Sequence, residues 1–245
     1  MFNSVLLEGQ LEWNFTLLFI LAIIAIIYAL LLKHFSNAKI YQLRPILFFT
    51  SLTLFFLMIG SPLSVISHLS FSFHMIQMSI LYFIVPPLFL FGIPDKLKKY
   101  NFKFLTNFAL ISFTVLFFLY HMPFVLQTLY QVSFLHKGYT ALLFALAIFM
   151  WWPIVMRRNK RFALISGILL TPACLLFIVN GIMGGISNPF LQGLALNLCL
   201  PEHIDVGNLL PISINPRIDQ IASGIVMMGL HKFGLMLISH ISHHL

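Results

Sequence analysis

The chain has 245 residues, of which 60% are hydrophobic and only 8% charged, with a formal net charge of +8 and a mean hydropathy of +0.99. A soluble domain carries about 25% charged residues, so this surface suits lipid rather than water, and the composition describes an integral membrane protein. The basic excess falls in short clusters between apolar runs, which is a topology signal and not a nucleic-acid footprint, so no nucleic-acid partner is expected. Two cysteines, Cys174 and Cys199, are too few for a disulfide framework or a four-thiolate metal site.

Crossing a bilayer core takes about 20 apolar residues in a helix. Seven segments of the sequence meet that length, at about 14–33, 45–66, 72–92, 104–122, 137–156, 162–183 and 219–239. The expected fold is all-α: one polytopic domain over residues 1–245 with seven transmembrane helices and no internal repeat. Acidic Glu8 and Glu12 precede the first apolar run, which argues against a cleavable signal peptide.

Between helices one and two lie Lys33, Lys39 and Arg44; between three and four lie Lys96, Lys98, Lys99 and Lys103; between five and six lie Arg157, Arg158, Lys160 and Arg161. Eleven of the fourteen basic residues therefore share one side, which the positive-inside rule assigns to the cytoplasm. The N-terminus is then outside and the C-terminus inside. The connection at about 184–217 becomes a long extracytoplasmic loop around Glu202. Its apolar piece from Pro189 to Leu200 is too short to span, and Pro201, Pro211 and Pro216 argue against an eighth helix.

The stretch from Gly60 to Pro94 holds the least membrane-like chemistry: His68, His74, Met75, Gln77 and Met78 within an apolar frame. An ionisable group in such a frame marks a functional-site hypothesis. Threading the chain also brings His121, at the end of helix four, and His136, at the start of helix five, to the outer face. His203 lies in the long loop. These imidazoles are expected at wet helix ends, where they contribute little to folding. His74 and Met78 are four residues apart and share a helix face. Imidazole with thioether favours Cu(I), whereas Mg or Ca would want carboxylate oxygens that this region lacks. Packing is the alternative reading of each methionine.

Asp219 opens helix seven, where a carboxylate suits a helix N-terminus. His231 lies about 18 Å deeper at 1.5 Å per residue, too deep to join the outer histidines. Pro86-Pro87 removes two backbone donors and should bend or break helix three. Trp151-Trp152-Pro153 suits the inner aromatic belt.

Ser61-Pro62-Leu63, His68, His74-Met75-Ile76-Gln77-Met78, Pro86-Pro87 and Gly92-Ile93-Pro94 resemble the signature of the CtaG family, bacterial assembly factors for caa-type cytochrome c oxidase. The likeness continues through His121-Met122-Pro123, Leu135-His136, Trp151-Trp152-Pro153 and Asp219-Gln220 with Gly224 and Met227, in matching order over about residues 45–230. Met78 and Thr140 depart from it, since many members carry histidine at both positions. The resemblance implies a non-enzymatic, multi-pass protein of the bacterial cell membrane that serves the maturation of a haem-copper oxidase. Its partners would be the lipid bilayer, oxidase subunits and an extracytoplasmic copper chaperone. It implies His74, His121 and His136 as site residues, with Asp219 in support; the thioether argument adds Met78 to these as a candidate Cu(I) ligand, and His68 is a further supporting residue. Two other readings stand beside it: a cofactor-free scaffold for oxidase subunits, and a haem-binding membrane protein with histidines paired across helices.

Overall fold

The structure, a computed structural model, describes residues 12–35, 42–67, 70–93, 103–122, 124–125, 128–129, 133–184 and 215–244. These residues form helices and no strand. They comprise α1 (Phe15–Phe35), α2 (Leu43–Ile59), a short α3 (Leu63–Ile66), α4 (Phe71–Ser79), a π-helical segment (Ile80–Ile84), α5 (Val85–Phe91), α6 (Lys103–Tyr120), α7 (Ser133–Arg157), α8 (Lys160–Ile182) and α9 (Pro216–His244). The segments α4, π and α5 run on as one central helix, so the described residues contain seven long helices at the seven expected places. His68 and residues 185–214 of the long connection, with His203 and the apolar piece from Pro189 to Leu200, lie outside the described residues.

Five of the long helices are long and apolar enough to cross a membrane; Leu43–Ile59 and Phe104–Tyr120 are apolar but shorter. The expected second helix, about 45–66, is cut short for a local reason. The Gly60 N–H closes back on the Phe56 carbonyl, and the Ser61 hydroxyl donates to the Leu57 carbonyl at 2.5 Å. Pro62 then has no N–H with which to continue the ladder. The chain turns and restarts as α3.

The helices alternate in direction, and contacts at their ends fix this. The Asn14 N–H donates to the Gly60 carbonyl, joining the start of α1 to the end of α2. Asp219 at the start of α9 meets Ser70 and Phe71 at the start of α4. Tyr120 at the end of α6 reaches His136 in the first turn of α7. We call this the histidine end. At the opposite end the Tyr28 hydroxyl donates to the Gly92 carbonyl at 2.8 Å, and the Arg158 guanidinium donates to the Ser242 carbonyl. Lys33, Arg44, Arg157 and Lys160 sit at helix termini of this basic end, in keeping with the clustering in the sequence.

The central helix is the hub, with 72% of its span buried. In an α-helix the N–H groups of residues 86 and 87 would close on the carbonyls of 82 and 83, and Pro86 and Pro87 have none. The helix widens instead: the Val85 N–H bonds to the Ile80 carbonyl, five residues back. The freed Tyr82 carbonyl accepts the Trp151 indole N–H at 2.8 Å. The Phe83 carbonyl is met by the backbone of α9 at Gly234, where an added Cβ would lie 2.7 Å from that oxygen. The diproline therefore neither breaks the helix nor leaves its carbonyls bare. Trp151, expected in the inner aromatic belt, is instead fully buried at 0% exposure. Its indole N–H is the donor the diproline has made necessary.

Candidate functional site

The histidine end of the central helix begins at Ser70, whose hydroxyl oxygen caps α4 by accepting from the Ser72 and Phe73 N–H groups. A second cap comes from another helix. Asp219 Oδ2 accepts from the Phe71 N–H at 2.7 Å, and its Oδ1 accepts from the Ser70 hydroxyl at 2.6 Å and the Ser72 N–H at 3.1 Å. The Ser72 hydroxyl donates to the Asp219 backbone carbonyl at 2.9 Å. Asp219 thus serves the N-terminus of α4 as well as standing in the first turn of its own helix. Two parallel helices are locked at one level, and His74, one turn in, is held in a fixed position.

Gln77 adds a further tie. Its amide donates to the Met58 carbonyl at 2.5 Å while its oxygen accepts from the Ser67 hydroxyl at 2.6 Å, bracing α4 against the α2–α3 turn.

Two imidazoles from different helices converge on one phenol. The Tyr120 hydroxyl lies 3.0 Å from His136 Nε2 and 3.4 Å from His74 Nε2. The Tyr120 ring stacks at 26° on both imidazoles, with centroids 6.0 Å from His74 and 6.1 Å from His136. One hydroxyl can donate to one ring nitrogen and accept from the other, so the three groups form one polar unit across α4, α6 and α7.

His121 is adjacent in sequence but faces elsewhere. Its Nδ1 is 2.5 Å from the Phe117 carbonyl, an acceptor, so Nδ1 carries the proton and Nε2 presents a lone pair. The ring is packed against Phe117 and Phe177, and Nε2 is buried with no hydrogen-bond partner. That is the tautomer a histidine adopts when a second shell readies it as a metal ligand.

Burial corrects one expectation. His74 is 0% exposed and His121 4% exposed, so neither is an imidazole at a wet helix end; His136 is half-buried. Both buried rings belong to the packed core, and their replacement carries a folding cost. Met78, one turn beyond His74 on the same face, is also buried within the hydrophobic core. Of the six expected site residues, the structure brings His74 and His136 together through Tyr120. It sets His121 beside them and makes Asp219 a cap. Among the described residues, no group of three or more His, Cys, Asp and Glu side chains is placed to hold a metal ion.

Tyr120 is the residue that sequence reasoning overlooked. A tyrosine at a helix end reads as an interfacial anchor; its position directly before His121-Met122-Pro123 was the available signal. Ser70 is the other, since a serine opening an apolar helix is a cap in its own right.

The profile of one family, described as cytochrome c oxidase caa3 assembly factor (Caa3_CtaG), matches residues 26–241. No curated protein and no solved structure matches the chain. That profile covers the second half of α1 and nearly all of the six long helices after it, including those that carry His74, Tyr120, His136 and Asp219, and so the chain belongs to the family of cytochrome c oxidase caa3 assembly factors.

Proposed function

We propose that this protein is a bacterial cell-membrane factor that helps a haem-copper oxidase mature, acting through its histidine end. The observation that carries the reading is the convergence of His74 and His136, from two different helices, on a single point held by the Tyr120 hydroxyl. Cu(I) is satisfied by imidazole nitrogen and thioether sulfur, and Met78 lies one turn below His74. Copper here is cargo. The phenol holds the two imidazoles together between deliveries, and copper arrives when the hydroxyl withdraws. His121, with its lone pair on Nε2, stands at the side of the site.

The basic clusters assign the opposite end to the cytoplasm, so the histidine end faces outward. There a copper chaperone can reach it from outside and oxidase subunits from within the membrane. Membership of a family of assembly factors supports a role in assembly. Competition against a Cu(I) chelator, run on the wild type and on His74→Ala and His136→Ala, tests the proposal. Wild-type binding with a loss of about tenfold or more in each variant, the scale of one lost ligand interaction, is expected. Equal, negligible binding by all three would remove copper from the account.

A second reading is a cofactor-free scaffold for oxidase subunits. It is favoured by the Tyr120 hydroxyl already bridging the two imidazoles and by the lack of a three-residue ligand group among the described residues. Under it, the same variants affect oxidase maturation only as far as they lower the amount of folded protein.

A further inference from the structure

Helices α8 and α9 run antiparallel in a register that three glycines report. An added Cβ at Gly181 would lie 2.9 Å from the Arg217 carbonyl, and one at Gly224 would lie 2.6 Å from the Cys174 carbonyl. Such close backbone approach is what small residues provide in membrane helices. Seven residues nearer the basic end the spacing has loosened: an added Cβ at Gly167 meets nothing nearer than His231 Cε1, at 3.7 Å. Each step of seven residues back along α8 is matched by seven forward along α9, so the next step sets Lys160 level with Ile238. The Arg158 guanidinium, which donates to the Ser242 carbonyl, keeps that register at the basic end. A cavity of about 280 Å³ opens between the two helices along the loosened stretch.

One lysine lines that cleft. Lys232 stands beside Met228 and Leu235 on the α9 wall, and it is exposed. It falls six residues short of the level of Lys160, about 9 Å at 1.5 Å per residue, so it faces lipid well inside the cations at the helix ends. An ammonium group facing hydrocarbon is costly and calls for an anion. The carboxylates among the described residues are Glu12 and Asp219, and both belong to the histidine end. The α8 wall carries Leu164, Gly167 and Thr171. Lys160 lies four residues before Leu164 and seven before Gly167, which puts it on the same helix face, and it too is exposed. Two cations therefore bound the cleft, Lys160 at its outer rim and Lys232 further in. The wall between them is open to lipid, with Leu164 and Ile168 64% and 63% exposed.

We propose that this cleft seats a phospholipid with an anionic headgroup, its phosphate between Lys160 and Lys232 and one acyl chain along Leu164, Gly167 and Ile168. Charge selects the class, since two ammonium groups with no carboxylate of the described chain beside them are complemented by an anion. Position selects the source. A phosphate tethered to acyl chains is held at headgroup level, where Lys160 stands, and the apolar stem of Lys232 can carry its charge outward to meet it. A free phosphate would gain nothing from the exposed leucine and isoleucine that continue the site inward. The basic clusters assign this end to the cytoplasmic leaflet, whose anionic lipids give it a negative surface. The site shares no residue with the His74–Tyr120–His136 unit and does not depend on the copper proposal.

The test is a titration of the full-length protein in detergent with phosphatidylglycerol and, separately, with phosphatidylcholine, the bound lipids being counted by native mass spectrometry. The first phosphatidylglycerol should bind at least fivefold more tightly than the first phosphatidylcholine. Lys232→Gln and Lys160→Gln should each weaken it by about fivefold, the scale of one basic residue at an anionic surface, and Lys232→Arg should retain the preference. Lys33→Gln, which removes a cation of the same end at the terminus of α1, should leave it unchanged. Gly167→Leu, which fills the α8 wall, should weaken the first lipid without altering any charge. If that variant fails to fold, the lysine variants still decide. Equal binding of the two lipids would overturn the proposal, as would a preference that survives Lys232→Gln. A loss in Lys33→Gln as large as that in Lys232→Gln would mean diffuse attraction to the whole basic end, and would overturn it too. So would displacement of the lipid by an equal concentration of inorganic phosphate, which would make this a site for a free anion.

Discussion

Helix α1 and the central helix are both apolar spans, yet they stand in opposite surroundings. Of the five candidate spans, α1 is the most hydropathic and has only 17% of its length buried inside the protein; the central helix is the least hydropathic and has 72% buried. In water the order would be reversed. Lipid tails are as apolar as leucine, so apolar surface gains nothing by leaving them. What drives a helix inward is chemistry that lipid cannot satisfy: capped N–H groups, freed carbonyls, imidazoles and a phenol. The central helix has all of these, from the Asp219 cap through His74 and Gln77 to the diproline. Helix α1 has two anchors, the Asn14 turn and Tyr28, which stacks on Phe48 at 3.7 Å.

Removing the polar ties should therefore damage the protein far more than trimming the apolar face. The largest effect is expected from Asp219→Ala, which strips the acceptor from the Ser70 hydroxyl and the Phe71 N–H and leaves the Ser72 N–H with Ser70 Oγ alone. A loss of about 2–4 kcal/mol is expected for several buried donors left unmatched, measurable as a lower unfolding midpoint in detergent. An unchanged midpoint would mean the two helices hold their register without this carboxylate. Next comes Trp151→Phe, which keeps the ring but leaves the Tyr82 carbonyl with neither a proline N–H nor an indole to accept from. A cost of about 1–3 kcal/mol is expected, with faster backbone hydrogen exchange confined to residues 80–85 of the central helix. Exchange unaltered there would show that the widened helix supports itself. The smallest effect belongs to Ile26→Ala on α1, a side chain 59% exposed; a change within about 0.5 kcal/mol is expected. A larger loss would place a partner on that face.

Helix existence was legible in the sequence because about 20 apolar residues in a row admit few other interpretations in a membrane. All seven long helices fall where the apolar runs predict them. Boundaries were less legible: the run through 66 conceals the stop at Gly60, which depends on the Ser61 hydroxyl and the missing donor of Pro62. Burial was hardly legible at all. His74, His121 and Trp151 sit near helix ends in the sequence, and ends suggest water; whether such an end is wet depends on which neighbours cover it. The same holds for the site. Histidines and their shared end could be placed by counting turns, and His74 and His136 both reach the Tyr120 hydroxyl. Tyr120 between them, and Asp219 reaching across to another helix, are facts of packing that no spacing within one helix encodes.

In the proposed function the unit held on the buried helix serves oxidase maturation, while the lipid-facing helices only enclose it. It is tested most directly by restoring the gene to a deletion strain as wild type, His74→Ala, His136→Ala or Ile26→Ala. Oxidase activity and membrane copper would then be measured against the amount of this protein in the membrane. Wild type and Ile26→Ala should restore the oxidase, whereas both histidine variants should fail to restore it even where their membrane abundance matches wild type. Full oxidase activity from His74→Ala and His136→Ala at normal abundance would remove the histidine unit from oxidase maturation.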